Sequence, residues 1–255
     1  MKTLEEKMND VLEEILNLNG KLIVKADFEA EGTRLNELSF LNSLVGSKNG
    51  KLYIKIGGCE AVYDLQLCKD FRAAGVMVPM VETAFALEKF KMAVERVYGN
   101  CYENLDFIVN AETKTTALNF DEILKKAAGL ITGITIGRVD LSASFGLKRK
   151  DIDSSKVLKS CEFFAKSAKE AGFLVSVGGG ILKDSFKVLE KIKDYIDRFE
   201  TRKFVFVFDG NEKTFNENIL LATKFELLFL KYKSEQYLKI SKEDEKRIKI
   251  LSERV

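Results

Sequence analysis

Two acidic residues in this sequence each come shortly after an apolar run that has the character of a β-strand. Glu112 follows the run 107–109, and Asp140 follows the run 133–137, with a helix-like stretch over residues 119–128 between them. Two parallel strands joined by a helix bring their carboxyl ends to the same rim, so we expect the two carboxylates to lie side by side. Two oxygen ligands at one rim favour Mg²⁺ or Mn²⁺ in a chain without histidine. Taken singly, each acid could instead be the cap of a following helix.

The composition narrows the range of functions. The chain has 255 residues, of which 46% are hydrophobic and 31% charged, and its net charge is +2. The charges of both signs are interspersed, so we expect no nucleic-acid surface. The absence of histidine excludes a Ser-His-Asp triad, a histidine zinc site and a histidine base. The four cysteines form no C-x-x-C pair, no apolar run is long enough to span a membrane, and the amino terminus is not a signal peptide, so we expect a cytoplasmic protein.

Short apolar runs alternate with helix-like stretches along the whole chain. Seven strands are evident, from residues 22–24 to residues 204–208, and their lack of polar alternation is typical of strands buried on both faces. This pattern predicts a parallel (β/α)8 TIM-type barrel forming one domain over residues 1–255. Extra terminal helices are expected within residues 1–19 and 215–255. The eighth strand is either hidden or replaced by the amino-terminal helix, and an open doubly wound sheet is the alternative.

Active sites of parallel barrels lie at the carboxyl ends of the strands, and Lys55 ends the second predicted strand. Its ammonium group is a candidate for stabilising an anionic oxygen or for forming a Schiff base with a keto substrate. It could equally be an interior lysine paired with an acid. The last predicted strand would place Asp209 at this rim. The charged segment 197–203 precedes that strand, so we expect it at the opposite end, as an ion-pair belt or a subunit contact.

Three consecutive glycines, Gly178, Gly179 and Gly180, follow the sixth predicted strand and precede a helix. Backbone N–H groups without side chains, close to a helix amino terminus, can bind an anion. We therefore expect these glycines to bind an anionic group of the substrate, either a phosphate or a distal carboxylate. The alternative is a tight turn that needs unusual backbone angles. Gly57 and Gly58, ahead of another helix, are a weaker copy of the same pattern.

The segments that carry the two acids resemble a known family. AETKTTALNFDEI, which starts at Ala111, and GITIGRVDLSASFG, which starts at Gly133, are similar to the metal-binding half of the HpcH/HpaI aldolase and citrate lyase family. The stretch VPMVET from Val78 resembles the preceding strand end, and the similarity extends over roughly residues 20–147.

The resemblance implies both a reaction and a site. Glu112 and Asp140 would hold the divalent metal, Mg²⁺ or Mn²⁺. Arg138 is expected at the substrate-binding rim because it follows the fifth predicted strand of the barrel. The expected activity is that of a metal-dependent carbon–carbon lyase or aldolase that acts on a 2-oxo acid through a pyruvate-like enolate. The resemblance also implies a homo-oligomer in which a terminal helix packs on a neighbouring subunit.

The chain departs from the family's pattern in two places. Lys55 stands where the family has an arginine that contacts the keto oxygen, so the charge is kept but the planar fork is lost. The family's histidine base after the first strand is missing from LIVKADFEAEG. Glu29, Glu31 or metal-bound water are candidates to replace it, although the two acids could also be a solvated helix entry. Two alternatives therefore remain, a citryl- or malyl-CoA-type lyase and a catalytically altered metal-binding member of the family.

Overall fold

The centre of the computed structural model is an eight-stranded sheet whose strands pair in chain order; the structure describes residues 2–99, 101–102, 104–237 and 242–254. Every pair of neighbouring strands from β1–β2 to β6–β7 is parallel, and β8 is antiparallel to β7. A bridge between Val24 and Phe204 nearly closes the sheet. This confirms the predicted (β/α)8 TIM-type barrel. The strands are β1 Ile23–Asp27, β2 Lys51–Lys55, β3 Gly75–Val78, β4 Asp106–Ala111, β5 Gly133–Gly137, β6 Leu174–Gly178, β7 Arg198–Glu200 and β8 Val205–Val207.

Helices connect the parallel strands and cover the outside of the barrel. In chain order they are α1 Leu4–Asn19, α2 Leu35–Gly46, α3 Val62–Asp70, α4 Ala84–Tyr98, α5 Lys114–Leu118, α6 Phe120–Ala127, α7 Arg138–Ser144, α8 Ser155–Glu170, α9 Phe186–Leu189, α10 Glu212–Gln236 and α11 Lys242–Ser252. Short 3₁₀ helices lie at Arg149–Asp151, Lys183–Ser185 and Glu190–Tyr195. Within the described residues, every helix is too short or too polar to cross a bilayer.

The strand residues divide between an apolar outer face and a mixed interior. Outward-facing Val24, Ile54, Val76 and Val109 are fully buried beneath the helices, and burial of each such side chain stabilises the fold by about 1.5–3 kcal/mol. Inside the barrel, the lower layer is apolar and is formed by Ile23, Tyr53, Met77, Ile108 and Val205. The residues above this layer, at the carboxyl ends of the strands, are polar.

The amino-terminal helix does not replace a strand. A capping box between Thr3 and Glu6 begins α1, whose buried face packs on α10. The amides of Asn19 and Asn218 exchange hydrogen bonds of 2.8 and 3.0 Å, and Asn218 is fully buried. Because α1 is fixed to α10 in this way, the eighth place in the barrel is left to β8.

The last two strands differ from the sequence prediction. The segment expected at the opposite end of the barrel contains β7, and β8 returns antiparallel after a turn in which the Thr201 N–H donates to the Phe204 carbonyl at 2.9 Å. Arg202 and Lys203 in this turn therefore lie at the carboxyl rim. Asp209, which follows β8, lies at the other end. The prediction was wrong here because two three-residue strands joined by a charged turn look in sequence like one strand preceded by a loop.

Candidate functional site

A cavity of about 810 Å³ lies at the carboxyl ends of the strands. It is lined by residues at the strand ends and by residues of α10 and α11. Of the eleven residues that the sequence predicts for the functional site, six line this cavity and five do not. The six are Lys55, Glu112, Asp140, Gly178, Gly179 and Gly180, and the five are Glu29, Glu31, Gly57, Gly58 and Arg138.

Glu112 follows β4 and is held in a fixed position. Its Oε1 accepts a 2.9 Å hydrogen bond from the Met80 N–H, and its Oε2 accepts one of 3.2 Å from the Asn110 amide. Met80 adopts a positive φ of 53°, an uncommon conformation for a residue with a side chain. Burial raises the pKa of the Glu112 carboxyl, the Lys55 ammonium partly offsets this rise, and the Asp140 carboxylate adds to it.

Asp140 lies in the first turn of α7, half-buried, and lines the same cavity. Its charge raises the pKa of the Glu112 carboxyl, so the two carboxylates repel each other when both are ionised. In the described part of the chain, no further His, Cys, Asp or Glu forms a cluster of three around them. Mg²⁺ is typically bound through one or two carboxylates, with water and substrate as the remaining ligands. This all-oxygen pair therefore fits a hard divalent cation, which would also offset the repulsion.

Lys55 lies between acids. Its Nζ is 2.5 Å from Glu29 Oε2, and the register places it beside Asp27. Desolvation lowers the pKa of the Lys55 ammonium, but the carboxylates of Glu112, Glu29 and Asp27 outweigh this effect, so the pKa lies above its ordinary value. Lys55 is therefore a fixed positive charge next to Glu112.

The acids after β1 have separate roles. Glu29 is on the surface side of Lys55, and Glu31 is a buried partner of Lys203, whose Nζ also lies 4.6 Å from the Phe229 ring centre. Burial raises the pKa of Glu31, and Lys203 and Arg202 offset part of the rise. Asp27 is the acid of this segment that lines the cavity.

Comparison with known proteins shows the family of this chain. The family model described as HpcH/HpaI aldolase/citrate lyase matches residues 56–183, which include both carboxylates and the three glycines. The chain belongs to the HpcH/HpaI aldolase/citrate lyase family. This confirms the resemblance inferred from the sequence. No curated protein sequence matches the chain.

Solved structures share this fold at low sequence identity. An HpcH/HpaI aldolase from Desulfitobacterium hafniense DCB-2 is 15% identical with a TM-score of 0.60, and the match covers 74% of this chain and 80% of that one. An HpcH/HpaI aldolase/citrate lyase family protein from Burkholderia cenocepacia J2315 is 15% identical with a TM-score of 0.59, covering 75% and 82%. RipC from Yersinia pestis is 12% identical with a TM-score of 0.54, covering 80% and 88%.

This HpcH/HpaI family member also has a charged cluster in its cavity that the sequence reasoning missed. Lys25 Nζ lies 2.6 Å from Glu200 Oε2, and Thr135 Oγ1 donates to Glu200 Oε1 at 2.7 Å. Nearby, the buried Asn110 Oδ1 has no hydrogen-bond partner and is free to accept one from a ligand. The available signal was the alternation of Arg198, Phe199 and Glu200, which is the two-residue period of a strand.

Arg138 does not reach the cavity. Its guanidinium is fully buried and contacts Asp153 Oδ1 at 2.5 Å, Ser185 Oγ at 3.3 Å and the Gly179 carbonyl at 3.2 Å. Burial lowers the pKa of Arg138, and Asp153 opposes this effect. Arg138 therefore anchors the glycine loop. The Gly57 N–H is already hydrogen-bonded within the protein, because it donates to Asp64 Oδ2 at 2.7 Å.

Gly179 shows why this loop contains glycines. Its φ is +82°, and a Cβ there would lie 2.8 Å from the backbone nitrogens of Arg138 and Val139, at the start of α7. The loop therefore packs against the helix that carries Asp140. Whether the three glycines also bind an anion stays a prediction.

We expect Gly179→Ala to lower the free energy of unfolding by more than the roughly 1–3 kcal/mol of left-handed strain alone, because the new methyl also meets backbone atoms. Urea denaturation measures this. Gly146→Ala is the matched control, since Gly146 has a φ of +74° and nothing within 4 Å of the added Cβ. Equal losses in the two variants would contradict the close packing.

Proposed function

We propose that this family member is a metal-dependent carbon–carbon lyase that acts on a 2-oxo acid. The observation that carries the proposal is the pair Glu112 and Asp140, which line one cavity at neighbouring strand ends beside the Lys55 ammonium. Bound to this pair, Mg²⁺ or Mn²⁺ would act as a Lewis acid toward the carboxylate and keto oxygens of the substrate.

Lys55 supplies positive charge where negative charge develops. When the bond next to the keto group breaks, its electron pair moves into the oxo acid and forms an enolate. An ammonium group held in place before the reaction stabilises that charge without reorganisation. Glu29 on the other side keeps Lys55 in position.

Asp27 is the residue we assign as general base. Its Oδ1 accepts hydrogen bonds from the N–H groups of Glu29 and Ala30, at 2.8 and 2.9 Å, its Oδ2 makes no hydrogen bond with a described residue, and the residue lines the cavity. In the cleavage direction, Asp27 would take the hydroxyl proton as the aldehyde forms. The same proton then goes to the enolate carbon and gives the free 2-oxo acid. This assignment takes the place of Glu29 and Glu31.

Release of pyruvate from 4-hydroxy-2-oxo acids tests the proposal. The full chain is assayed with Mg²⁺ or Mn²⁺, after chelation, and after the metal is restored. We expect activity to disappear on chelation and to return with the metal. Undiminished turnover after rigorous chelation would exclude a metal mechanism. Absence of turnover over a panel of 2-oxo acids and aldehydes, with the metal bound, would favour the catalytically altered alternative.

Lys55 is not expected to form a Schiff base. A Schiff base needs a neutral amine, and the surrounding carboxylates raise the pKa of the ammonium. Treatment with pyruvate and borohydride should therefore leave the mass of the protein unchanged. A reduced pyruvyl adduct on the peptide that contains Lys55 would contradict this prediction.

Two expectations outside the site stay predictions. The first is a homo-oligomer, which light scattering of the purified chain would test. The second is a cytoplasmic location, which cell fractionation would test. In the single chain, α11 packs on its own α10 through Leu227, Leu230 and Leu251.

A further inference from the structure

Met80, in the loop after β3, has a backbone conformation that its own side chain does not explain. Its φ of +53° lies in the left-handed region that favours glycine, and its side chain is 42% exposed, so burial of that side chain does not offset the strain. Residues with strained backbones persist where the surrounding structure holds them, and they are concentrated at functional sites. The Met80 N–H donates to Glu112 Oε1 at 2.9 Å. The strained residue therefore contacts one of the two proposed metal ligands.

The segment directly after Glu112 holds this loop in place. The hydroxyl of Thr113 donates to Glu82 Oε1 at 2.7 Å, and the hydroxyl of Thr116 donates to the Val81 carbonyl at 3.1 Å. Both threonines are buried, so these hydrogen bonds are stronger than they would be in water. Side-chain hydrogen bonds therefore join the loop after β3 to the chain that follows β4.

Glu82 makes two of the contacts between the loop and that chain. Its carboxylate accepts the hydrogen bond from Thr113, and its main-chain carbonyl accepts one of 2.8 Å from the Asn119 amide. Thr113 also caps α5, because its oxygen accepts from the Thr116 N–H at 3.0 Å. The oxygen of Thr113 serves the helix and its proton serves Glu82, so replacing Glu82 leaves the cap intact.

Glu82 and Thr113 are not among the described residues that line the cavity, so we expect them to act through other residues. Glu82 is two positions after Met80, and Thr113 is next to Glu112. The hydrogen bond between Glu82 and Thr113 therefore ties together the two segments that meet where the Met80 N–H binds Glu112. Hydrogen bonds behind a metal ligand fix its orientation, and their loss typically lowers metal affinity by about 10- to 100-fold.

We propose that Glu82 is a positioning residue for Glu112. By binding Thr113, it holds the loop in the conformation in which the Met80 N–H fixes one carboxylate oxygen of Glu112. The carboxylate is then oriented before a metal arrives, so metal binding loses less side-chain freedom. The proposal rests on the proposed function, because it takes Glu112 as a ligand of the divalent metal.

Mn²⁺ binding to the metal-free full chain, followed by electron paramagnetic resonance, tests the proposal. In Glu82→Met the acceptor of the Thr113 hydroxyl is lost, and we expect the dissociation constant of Mn²⁺ to rise by about tenfold or more. In Glu82→Gln the amide oxygen still accepts that hydrogen bond, so the constant should change by less than about twofold although the charge is gone. The matched control is Glu88→Met, which makes the same replacement in α4 at a surface ion pair with Lys126.

The strain at Met80 gives a second test. Glycine adopts a positive φ without a steric cost, so in Met80→Gly the loop needs less support from Glu82. We therefore expect Glu82→Met to raise the Mn²⁺ dissociation constant by less than about threefold in the Met80→Gly background. Equal losses in the two backgrounds would contradict the link through Met80. A merely structural role for Glu82 would lower the unfolding temperature of the metal-free protein and leave the Mn²⁺ affinity unchanged.

Thermal unfolding of the metal-free protein is measured for every variant. Glu82→Asp, whose carboxylate is one methylene short of Thr113, replaces Glu82→Met if that variant does not fold. If Glu82→Met binds Mn²⁺ as tightly as Glu88→Met does, the positioning role is overturned while the proposed function stands. If the wild-type chain binds no Mn²⁺, or if Glu112→Gln binds it equally well, the proposed function and the positioning role both fail.

Discussion

Replacing Glu112 by glutamine is expected to lower kcat/KM by a factor on the order of 10³, because it removes one of the two proposed metal ligands and the charge of the other cannot compensate. The change keeps the size of the side chain. Since burial raises the pKa of the Glu112 carboxyl, the ionised form is disfavoured in the folded protein, and loss of its charge should not destabilise the metal-free fold. The Asn110 amide can also rotate to offer its unpaired oxygen to the new N–H.

Turnover, Mn²⁺ binding followed by electron paramagnetic resonance, and thermal unfolding of the metal-free protein are measured on the same preparation. Weak Mn²⁺ binding together with an unchanged unfolding temperature is the expected combination. Glu29→Gln is the matched control, because Glu29 also contacts Lys55 but does not line the cavity. If the two variants lose activity equally, Glu112 is not the metal ligand that we propose. A large loss in Glu29→Gln would also favour Glu29 as the general base instead of Asp27.

The positions of Glu112 and Asp140 could be predicted because they depend on local rules. A strand, a helix and a second parallel strand have only one common arrangement. Glu112 follows β4 directly, and Asp140 lies three residues after the end of β5. The register of β4 and β5 pairs Ala111 with Ile136 and therefore brings the next residues of both strands together. Placing the two carboxylates at one rim of the barrel needed only the order of the elements and the residue types.

The rest of the site depends on tertiary contacts that sequence periodicity does not contain. The β7–β8 hairpin reverses direction in a charged turn, which moves Arg202 and Lys203 to the active rim. The residues next to Arg138 in the sequence are typical of a protein surface. In the fold, however, Arg138 is buried and contacts Asp153 and Ser185. The part of the cavity lining that comes from α11 depends on packing between α10 and α11, and not on the pattern within either helix.

Replacing Gly137 would move the Glu112 carboxylate without removing either proposed metal ligand. Gly137 ends β5 with an ordinary φ of −89°, so alanine is acceptable to its backbone. A Cβ there, however, would lie 2.8 Å from the Glu112 Cβ and would also contact Glu112 Oε2. The Glu112 Cβ cannot move away by rotation of its side chain, so either the two strand ends separate or the carboxylate leaves its position.

We therefore expect Gly137→Ala to lower kcat/KM by at least about 100-fold and to weaken Mn²⁺ binding, although both proposed ligands are still present. The strain should also cost about 1–3 kcal/mol of folding free energy, as overpacking of a buried site usually does. Gly58→Ala is the control, because a Cβ at this second rim glycine meets nothing within 4 Å. Full activity in Gly137→Ala would mean that the carboxylate of Glu112 need not occupy this position for catalysis, and the metal-site assignment would then be wrong.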